Sequence, residues 1–392
     1  MPSDPPRFDF DQPFIDPATR KGRGAVSNRS GRFEDTRKAA IFDDWPGDDD
    51  PPPPLKTEVA IDASRSIISK VPSPDMPFDR SINPYRGCEH GCIYCFARPT
   101  HAYLGMSPGL DFETKLTMKP DAPALLRKAL MAKRYKPQTI AIGTNTDPYQ
   151  PIEKTHQIMR GVLEVLAEFN HPVAIVTKSA LVARDADILG EMGRKGLARV
   201  ALSLTTLDPK LSRTMEPRAA APQRRLWALR QLSAAGCPVG VMLAPLIPAI
   251  NDHEIEALIR AAAASGATAA SYIVLRLPLE VRDLFTEWLE THFPDRAPRV
   301  MRYVRELHGG RDYDPQWGKR LVGEGVYADL IRRRFRRAAA ESGMAQDRHP
   351  LRTDLFHRPA SDTRQFSFLD ALEDETGEPA GAGRGASATE QK

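Results

Sequence analysis

Three of the four cysteines in this chain fall within eight residues: Cys88, Cys92 and Cys95, in Pro84-Tyr-Arg-Gly-Cys-Glu-His-Gly-Cys-Ile-Tyr-Cys-Phe-Ala-Arg98. Thiolates bunched this tightly in a cysteine-poor chain point to metal binding. Gly87 and Gly91 give the backbone the freedom to turn the three sulfurs toward one region. The number of thiols matters as much as the Cys-x3-Cys-x2-Cys spacing. A structural zinc site takes four protein ligands, and an ordinary iron–sulfur cluster takes four thiolates. Three thiolates leave one iron of a cubane cluster open to a ligand that is not protein.

The motif, with Tyr94 directly before its last cysteine, resembles that of the radical S-adenosylmethionine (radical SAM) enzymes. The resemblance implies a [4Fe–4S] cluster held by Cys88, Cys92 and Cys95, with S-adenosylmethionine (SAM) bound to the fourth iron through its amino and carboxylate groups. It also implies reductive cleavage of SAM to a 5′-deoxyadenosyl radical. Two other readings of the thiols stand beside this one. Zinc would use His90 or His101 as fourth ligand; His90 lies between two cysteines, where reaching the same metal strains the loop, and His101 is better placed. A disulfide would require an oxidising compartment. The opening Met-Pro-Ser-Asp-Pro-Pro-Arg lacks the apolar core of a signal peptide, and four cysteines in 392 residues fit a reducing cytosol, so the expected location is cytoplasmic.

Hydrophobic residues make up 41% of the chain, enough for a substantial core, and the formal net charge of +4 does not by itself mark a nucleic-acid binder. No membrane span is expected: the longest small, apolar run, Ala257–Leu275, is broken by Arg260, Ser265, Gly266 and Thr268. Residues 1–55 are expected to be a disordered segment, ending in the acidic, proline-rich run Asp43–Pro54. Within it, Arg20–Lys38 carries seven Lys or Arg against two acids. That pattern fits a solvated tail, or an arm that follows a phosphate backbone.

Residues 56–292 alternate strand-like and helix-like patterns and form the expected core. A first strand is expected at Arg80–Tyr85, then β-branched runs at Thr139–Thr144, Val173–Thr177, Arg199–Leu204, Val239–Leu243 and Ala270–Leu275. Helical periodicity covers Asp121–Lys133, Gln157–Phe169, Arg184–Arg194, Ala221–Ala235, Asp252–Ser265 and Glu280–His292. Six βα units of this kind predict an α/β fold with a parallel sheet. A flat doubly wound sheet satisfies the alternation equally; the resemblance, over roughly Ile82–Leu275, favours a radical SAM partial TIM barrel. In such barrels chemistry sits at the C-terminal strand ends.

Those ends are polar. Strand two runs into Gly143-Thr-Asn-Thr-Asp-Pro-Tyr-Gln-Pro151, where Thr146 or Asp147 could also cap the next helix; strand three ends in Thr177-Lys178-Ser179. Strand four ends at Ser203, followed by Glu216-Pro217-Arg218, and strand five at Ala244-Pro245. Asn251 and Asp252 read as a helix cap. Together these residues resemble the radical SAM branch that includes spore photoproduct lyase. Carried over, the resemblance implies that Lys178 and Ser203 contact SAM, that Ala244 lies against its adenosine, that Tyr94 packs on the adenine, and that Glu216 or Arg218 reaches the methionine end or the ribose. Asn145 and Asp147 complete the expected cofactor-binding set. The chain departs from that branch at one point: lyases acting on the spore thymine lesion carry a further cysteine after strand two, and Gly143–Pro151 has none, with Asn145 standing about where it would be. Cys237 lies before strand five, at the wrong end for chemistry, and reads as a small buried hydrophobe. Tyr103, Tyr149 and Tyr272 are candidate hydrogen donors in its place.

Residues 293–345 form the expected helical C-terminal extension, with a helix at Gly325–Glu341 whose Arg332, Arg333, Arg336 and Arg337 make a basic face. Residues 346–392 are expected to be a largely disordered tail. Within it, Gln365-Phe-Ser-Phe-Leu369 resembles the short peptides by which bacterial repair proteins bind the sliding clamp. The resemblance further implies a low-potential electron donor, flavodoxin or ferredoxin, and a substrate that is nucleic acid. RNA, a protein or a small molecule is the alternative substrate, and a zinc-bearing nucleic-acid-binding module without catalysis is the alternative function.

Overall fold

Ten strands form among the described residues (20–34, 54–345 and 350–359) of a computed structural model. They are β1 (Glu58–Ile61), β2 (Ile68–Lys70), β3 (Arg80–Ile82), β4 (Tyr85–Arg86), β5 (Lys115–Met118), β6 (Ile140–Ile142), β7 (Val173–Thr177), β8 (Ala198–Ser203), β9 (Val239–Leu246) and β10 (Ala269–Val274). Seven make one sheet in the order β10-β9-β8-β7-β6-β3-β2. The six strands from β3 to β10 in that row are parallel, and β2 closes the far edge antiparallel to β3. Both β10 and β2 are edges, so the sheet is a partial barrel of six βα units.

The register explains why these runs hold together. Ile82 pairs with Ile142, Ile142 with Ile175, Ile175 with Val200, and Val200 with Val239. All five are buried and form one apolar row across the sheet. Helices cover the outside. Ile158–Glu168 buries Ile158, Val162, Leu163 and Leu166, a helical repeat that turns one face to the sheet. Each such side chain contributes about 1.5–3 kcal/mol by leaving water. Helices Ala122–Met131, Ala186–Arg194, Pro222–Ala234 and Ile255–Ala263 do the same at the other crossovers, and Val281–His292, after the last strand, buries its apolar face in a second cluster.

Several details depart from the sequence reading. The expected first strand, Arg80–Tyr85, divides: β3 stays in the large sheet, whereas Tyr85–Arg86 pairs antiparallel with β5. β1, β5 and β4 make a separate three-stranded sheet that the sequence pattern did not announce. Helix Ala297–Leu307 has no counterpart among the expected helices, although Val300, Met301, Val304 and Leu307 repeat at helical spacing. Asn251 is no cap. Its Oδ1 accepts from Ile247 N (2.6 Å) and its Nδ2 donates to Thr205 O and Pro245 O, tying the loops after β8 and β9 together. Residues 20–34, placed in the expected disordered segment, are packed: Arg23, Ala25 and Ser27 are buried against the core. Their ordering comes from backbone and side-chain donors meeting buried carboxylates rather than from apolar periodicity. Residues 350–357 also dock, with Arg352 N donating to Gly196 O and Phe356 stacked on Phe169.

Residues 1–19, 35–53, 346–349 and 360–392 lie outside the described residues, and with them most of the Asp43–Pro54 run and all of Gln365–Leu369. Among the described residues no helix is long and apolar enough to cross a membrane.

Candidate active site

The cysteine loop leaves β4 at the mouth of the partial barrel. Successive turns shape it: Gly91 N donates to Cys88 O, Cys95 N to Cys92 O, and Arg98 N to Cys95 O. Gly87 and Gly91 sit at φ 73° and 66°, a left-handed region where side chains are strained. At Gly87 a Cβ would also come within 2.6 Å of Leu116 Cδ2. All three cysteines are free thiols; Cys88 and Cys92 are buried and Cys95 is partly exposed.

Burial pushes all three thiols up, and carboxylates push further: Asp147 on Cys88 and Glu216 on Cys92. Opposing this, the Lys178 and Arg225 cations face Cys92, and backbone N–H groups, Arg98 and Lys178 face Cys95. Among the described residues no three His, Cys, Asp or Glu side chains are placed to hold a single metal ion. The donor set is three thiols close enough to feel one another's charge, with Asp147 beside Cys88, Glu216, Lys178 and Arg225 beside Cys92, and Arg98 and Lys178 beside Cys95. Three thiols fit three corners of a [4Fe–4S] cluster, whereas a structural zinc site takes four protein ligands. His101, the zinc alternative's better ligand, has Nε2 against Lys115 O at 2.9 Å and its ring edge-on to Phe112.

Opposite the loop, three neighbouring strand ends converge. Lys178 Nζ, after β7, donates to Ser203 Oγ on β8 at 2.8 Å and lies 3.4 Å from Ala244 O on β9. Ser203 Oγ donates to the same carbonyl at 3.0 Å. The ammonium also stands 5.6 Å from the centre of the Tyr94 ring. The structure thus brings Lys178, Ser203, Ala244 and Tyr94 together.

Glu216 joins them from beneath. Tyr94 Oη donates to Glu216 Oε1, Thr205 Oγ1 reaches the same oxygen at 3.0 Å, and Arg225 Nη2 pairs with Oε2. Burial opposes the Glu216 charge, but Arg225 and Lys178 hold its carboxyl below the usual range. Arg225 also donates to Ser203 O at 3.0 Å. Both Glu216 carboxylate oxygens are engaged in this buried clamp, which also fixes the orientation of the Tyr94 ring.

Asp147 ties three segments. It accepts from Thr177 Oγ1 and Lys178 N, both at 2.7 Å, and from Tyr149 N at 2.9 Å, with His90 Nδ1 at 3.4 Å. Burial works against its charge, yet His90 and these donors hold its carboxyl down at about 2. Thr146 Oγ1 donates to Gly87 O at 2.6 Å, so neither residue caps a helix; both fasten the β6 loop to its neighbours. Asn145 N donates to Asn83 Oδ1 at 3.1 Å, on the half-open side of that loop. Arg218 pairs with Glu89 at 3.0 Å, at the exposed rim.

Sequence reasoning gave no role to Arg225, to Arg98, or to Arg276, whose guanidinium stacks 4.7 Å over Phe96 just beyond Cys95. No local pattern marks Arg225 or Arg276; Arg98 closes the cysteine segment and was legible only as its end. Of the three tyrosines weighed as hydrogen donors, Tyr149 is buried with Oη on Asp185, Tyr272 packs on Phe335, and Tyr103 is exposed beside Phe33. Cys237 is buried at the N-terminal end of β9, as expected for a packing residue.

The Radical SAM superfamily profile matches residues 82–262. An uncharacterized protein of Mycobacterium tuberculosis is 37% identical over 289 residues, spanning 73% of this chain and 81% of that protein. An uncharacterized protein of Methanocaldococcus jannaschii is 28% identical over 174 residues, 44% of this chain and 62% of that one. Among solved structures, spore photoproduct lyase complexed with dinucleoside spore photoproduct superposes with a TM-score of 0.52 at 17% identity, over 73% of this chain and 80% of that chain. At this identity the last likeness is one of fold. With the cysteine loop facing the strand ends of a six-unit partial barrel, these matches show that the chain belongs to the radical SAM superfamily.

Proposed function

We propose that this enzyme binds a [4Fe–4S] cluster through Cys88, Cys92 and Cys95, cleaves SAM reductively, and acts on a nucleic-acid substrate. The observation that carries the reading is the Lys178–Ser203–Ala244 set, a polar cradle built by three adjacent strand ends directly across from the cysteine loop. When bound, the cluster and SAM would supply an electron and a 5′-deoxyadenosyl radical that abstracts hydrogen from the substrate.

The chain's own residues bind and orient. Lys178 is a compact cation with one N–H left over, beyond those to Ser203 and Ala244, for a carboxylate such as that of the methionine moiety. Ser203 and the Ala244 carbonyl fix where that ammonium stands. Glu216 and Arg225 lock Tyr94 and thereby the turn carrying Cys92 and Cys95.

A nucleic-acid substrate is supported by exposed aromatic residues paired with arginines: Phe96, directly after Cys95, lies under Arg276, and Phe33 and Tyr103 lie under Arg32. Aromatic faces beside arginines suit stacked bases and phosphates. The absence of a cysteine in Gly143–Pro151 argues that the reaction differs from repair of the spore lesion. Flavodoxin or ferredoxin is the proposed electron donor, a sliding clamp the proposed partner of Gln365–Leu369, and the cytoplasm the proposed location.

The test is anaerobic reconstitution with iron and sulfide, then dithionite and SAM, with 5′-deoxyadenosine as readout. Product is expected from the native chain and not from Cys88→Ala, which should keep its barrel. A folded protein holding one zinc, with no cluster and no deoxyadenosine, would replace this reading with the zinc-bearing binding module. Deoxyadenosine formation that is indifferent to oligonucleotides but stimulated by RNA, a protein or a small molecule would redirect the substrate.

A further inference from the structure

A strap from the N-terminal segment is seated on the cysteine loop itself. Gly24 N donates to Glu113 Oε2 at 2.8 Å and Ala25 N to Glu113 Oε1 at 2.9 Å. Glu113 is fully buried, and its Oε1 also accepts from Arg98 Nη2 at 2.5 Å. The other N–H groups of Arg98 go to the carbonyls of Cys92 (2.9 Å), Gly91 (3.2 Å), Pro108 (3.1 Å) and Gly109 (2.9 Å). One carboxylate is therefore shared between the strap and the arginine that grips the loop between Cys88 and Cys92.

The contact is also steric. The Gly24 backbone lies so close that a Cβ there would stand 1.7 Å from Gly91 O, and a Cβ on Gly91 would meet Glu113 Oε2 at 2.7 Å. Ala25 is fully buried in the same apolar cluster as Cys92, Ile93 and Tyr94. Arg23 anchors one end through Glu113 O (2.8 Å), Leu55 O (2.8 Å) and Thr57 Oγ1 (3.1 Å). The other end reaches helix Val281–His292, where Ser27 Oγ donates to Glu287 at 2.6 Å and Arg29 pairs with the same carboxylate.

We propose that residues 20–34 are a clasp that holds the cysteine loop in ligand geometry and screens Cys92 from solvent, with Gly24, Glu113 and Arg98 as positioning residues. The proposal rests on the reading of the three cysteines as cluster ligands. A tail that merely lay on the surface would share neither a buried carboxylate with the loop nor a glycine-on-glycine backbone contact. Release of the clasp strips two main-chain donors from Glu113, leaves Arg98 and its grip on the Cys92 carbonyl less constrained, and opens the side of the loop that Ala25 covers.

The test uses the full chain and reads two things. In metal-free protein, maleimide labelling of each cysteine is followed by mass spectrometry, with buried Cys237 as internal reference for global opening. In reconstituted protein, iron release to a chelator is timed. Gly24→Val, which cannot keep its seat, and Glu113→Gln, which turns a donor toward the strap, should each speed Cys92 labelling about tenfold without speeding Cys237, as loss of one buried polar contact would. Iron release should accelerate in parallel, and the double variant should be no faster than the singles. Arg29→Gln loosens the outer end without a buried clash and should give a smaller effect in the same direction. Unchanged Cys92 labelling in all three variants, or equal acceleration of Cys92 and Cys237, overturns the clasp. Selective exposure of Cys92 in a chain that takes up no iron upholds the clasp and removes the cluster reading instead.

Discussion

Lys178 Nζ lies 2.8 Å from Ser203 Oγ, and both contact the carbonyl of Ala244. The three residues belong to the ends of β7, β8 and β9, which are neighbours in the sheet, so the sheet order itself assembles the cradle. Lys178→Met removes the cation while retaining much of its volume. A hydrogen bond to a charged group is worth about 1.5–3 kcal/mol, so SAM affinity should fall about 10–100-fold. Ser203→Ala should cost less, because the ammonium keeps the Ala244 carbonyl. Equilibrium dialysis of SAM against anaerobically reconstituted protein measures both; unchanged binding by Lys178→Met would remove that residue from the site.

Arg225 and Glu216 form an ion pair with almost no solvent exposure of either side chain. Removing one partner strands a buried charge, which costs about 3–5 kcal/mol. Arg225→Met should therefore lower the urea midpoint strongly, and adding Glu216→Leu should recover a large part of the loss. A midpoint equal to the native one in Arg225→Met would show that the clamp contributes nothing to stability.

His171 gives the fold a pH dependence of known sign. Its Nδ1 donates to Pro172 O at 3.0 Å, which leaves Nε2 to accept from Tyr135 Oη at 2.8 Å; the ring is buried. Burial lowers its pKa from 6.5 to about 4. The unfolded chain thus binds a proton that the folded chain refuses, so stability is fully present above about pH 6.5 and falls as pH drops toward 4. The full shift corresponds to about 3 kcal/mol. His101 and His308, also lowered by burial, act in the same direction. Urea midpoints between pH 7 and 4.5 should decline, and the decline should be shallower in His171→Gln. An equal slope in the variant would remove His171 as a source.

Much of the barrel was legible because its signals are local. Val173–Thr177 has the same ends in sequence and structure, since a β-branched run between two polar turns has few other conformations. Helix Gly325–Glu341 likewise matches. Lys178 and Ser203 could be placed at the barrel mouth because each stands at a strand end, while their contact with SAM is what the family resemblance implies. Arg225 could not: its partner Glu216 is set by the packing of a helix under the loop, and nothing in a single sequence records that approach. Residues 20–34 were misread for a related reason. Their order depends on Glu113, about ninety positions away, and basic, glycine-containing segments without periodicity resemble solvated tails until that carboxylate is in view.

Cys237 separates packing from chemistry. It is buried before β9, its Sγ lies 3.7 Å from Pro238 O, and burial, opposed by a backbone hydrogen bond from Val200, pushes the thiol up to about 12, so it stays protonated and unreactive. Cys237→Ala should cost about 1 kcal/mol through the small cavity it leaves. Cys237→Ser should cost more, because a buried hydroxyl carries a larger desolvation cost than a buried thiol. Both variants should form 5′-deoxyadenosine at the native rate per folded molecule. Native deoxyadenosine formation combined with lost conversion of substrate in Cys237→Ala would instead make this thiol the hydrogen donor, and the branch's missing cysteine would have been replaced from the opposite end of the barrel.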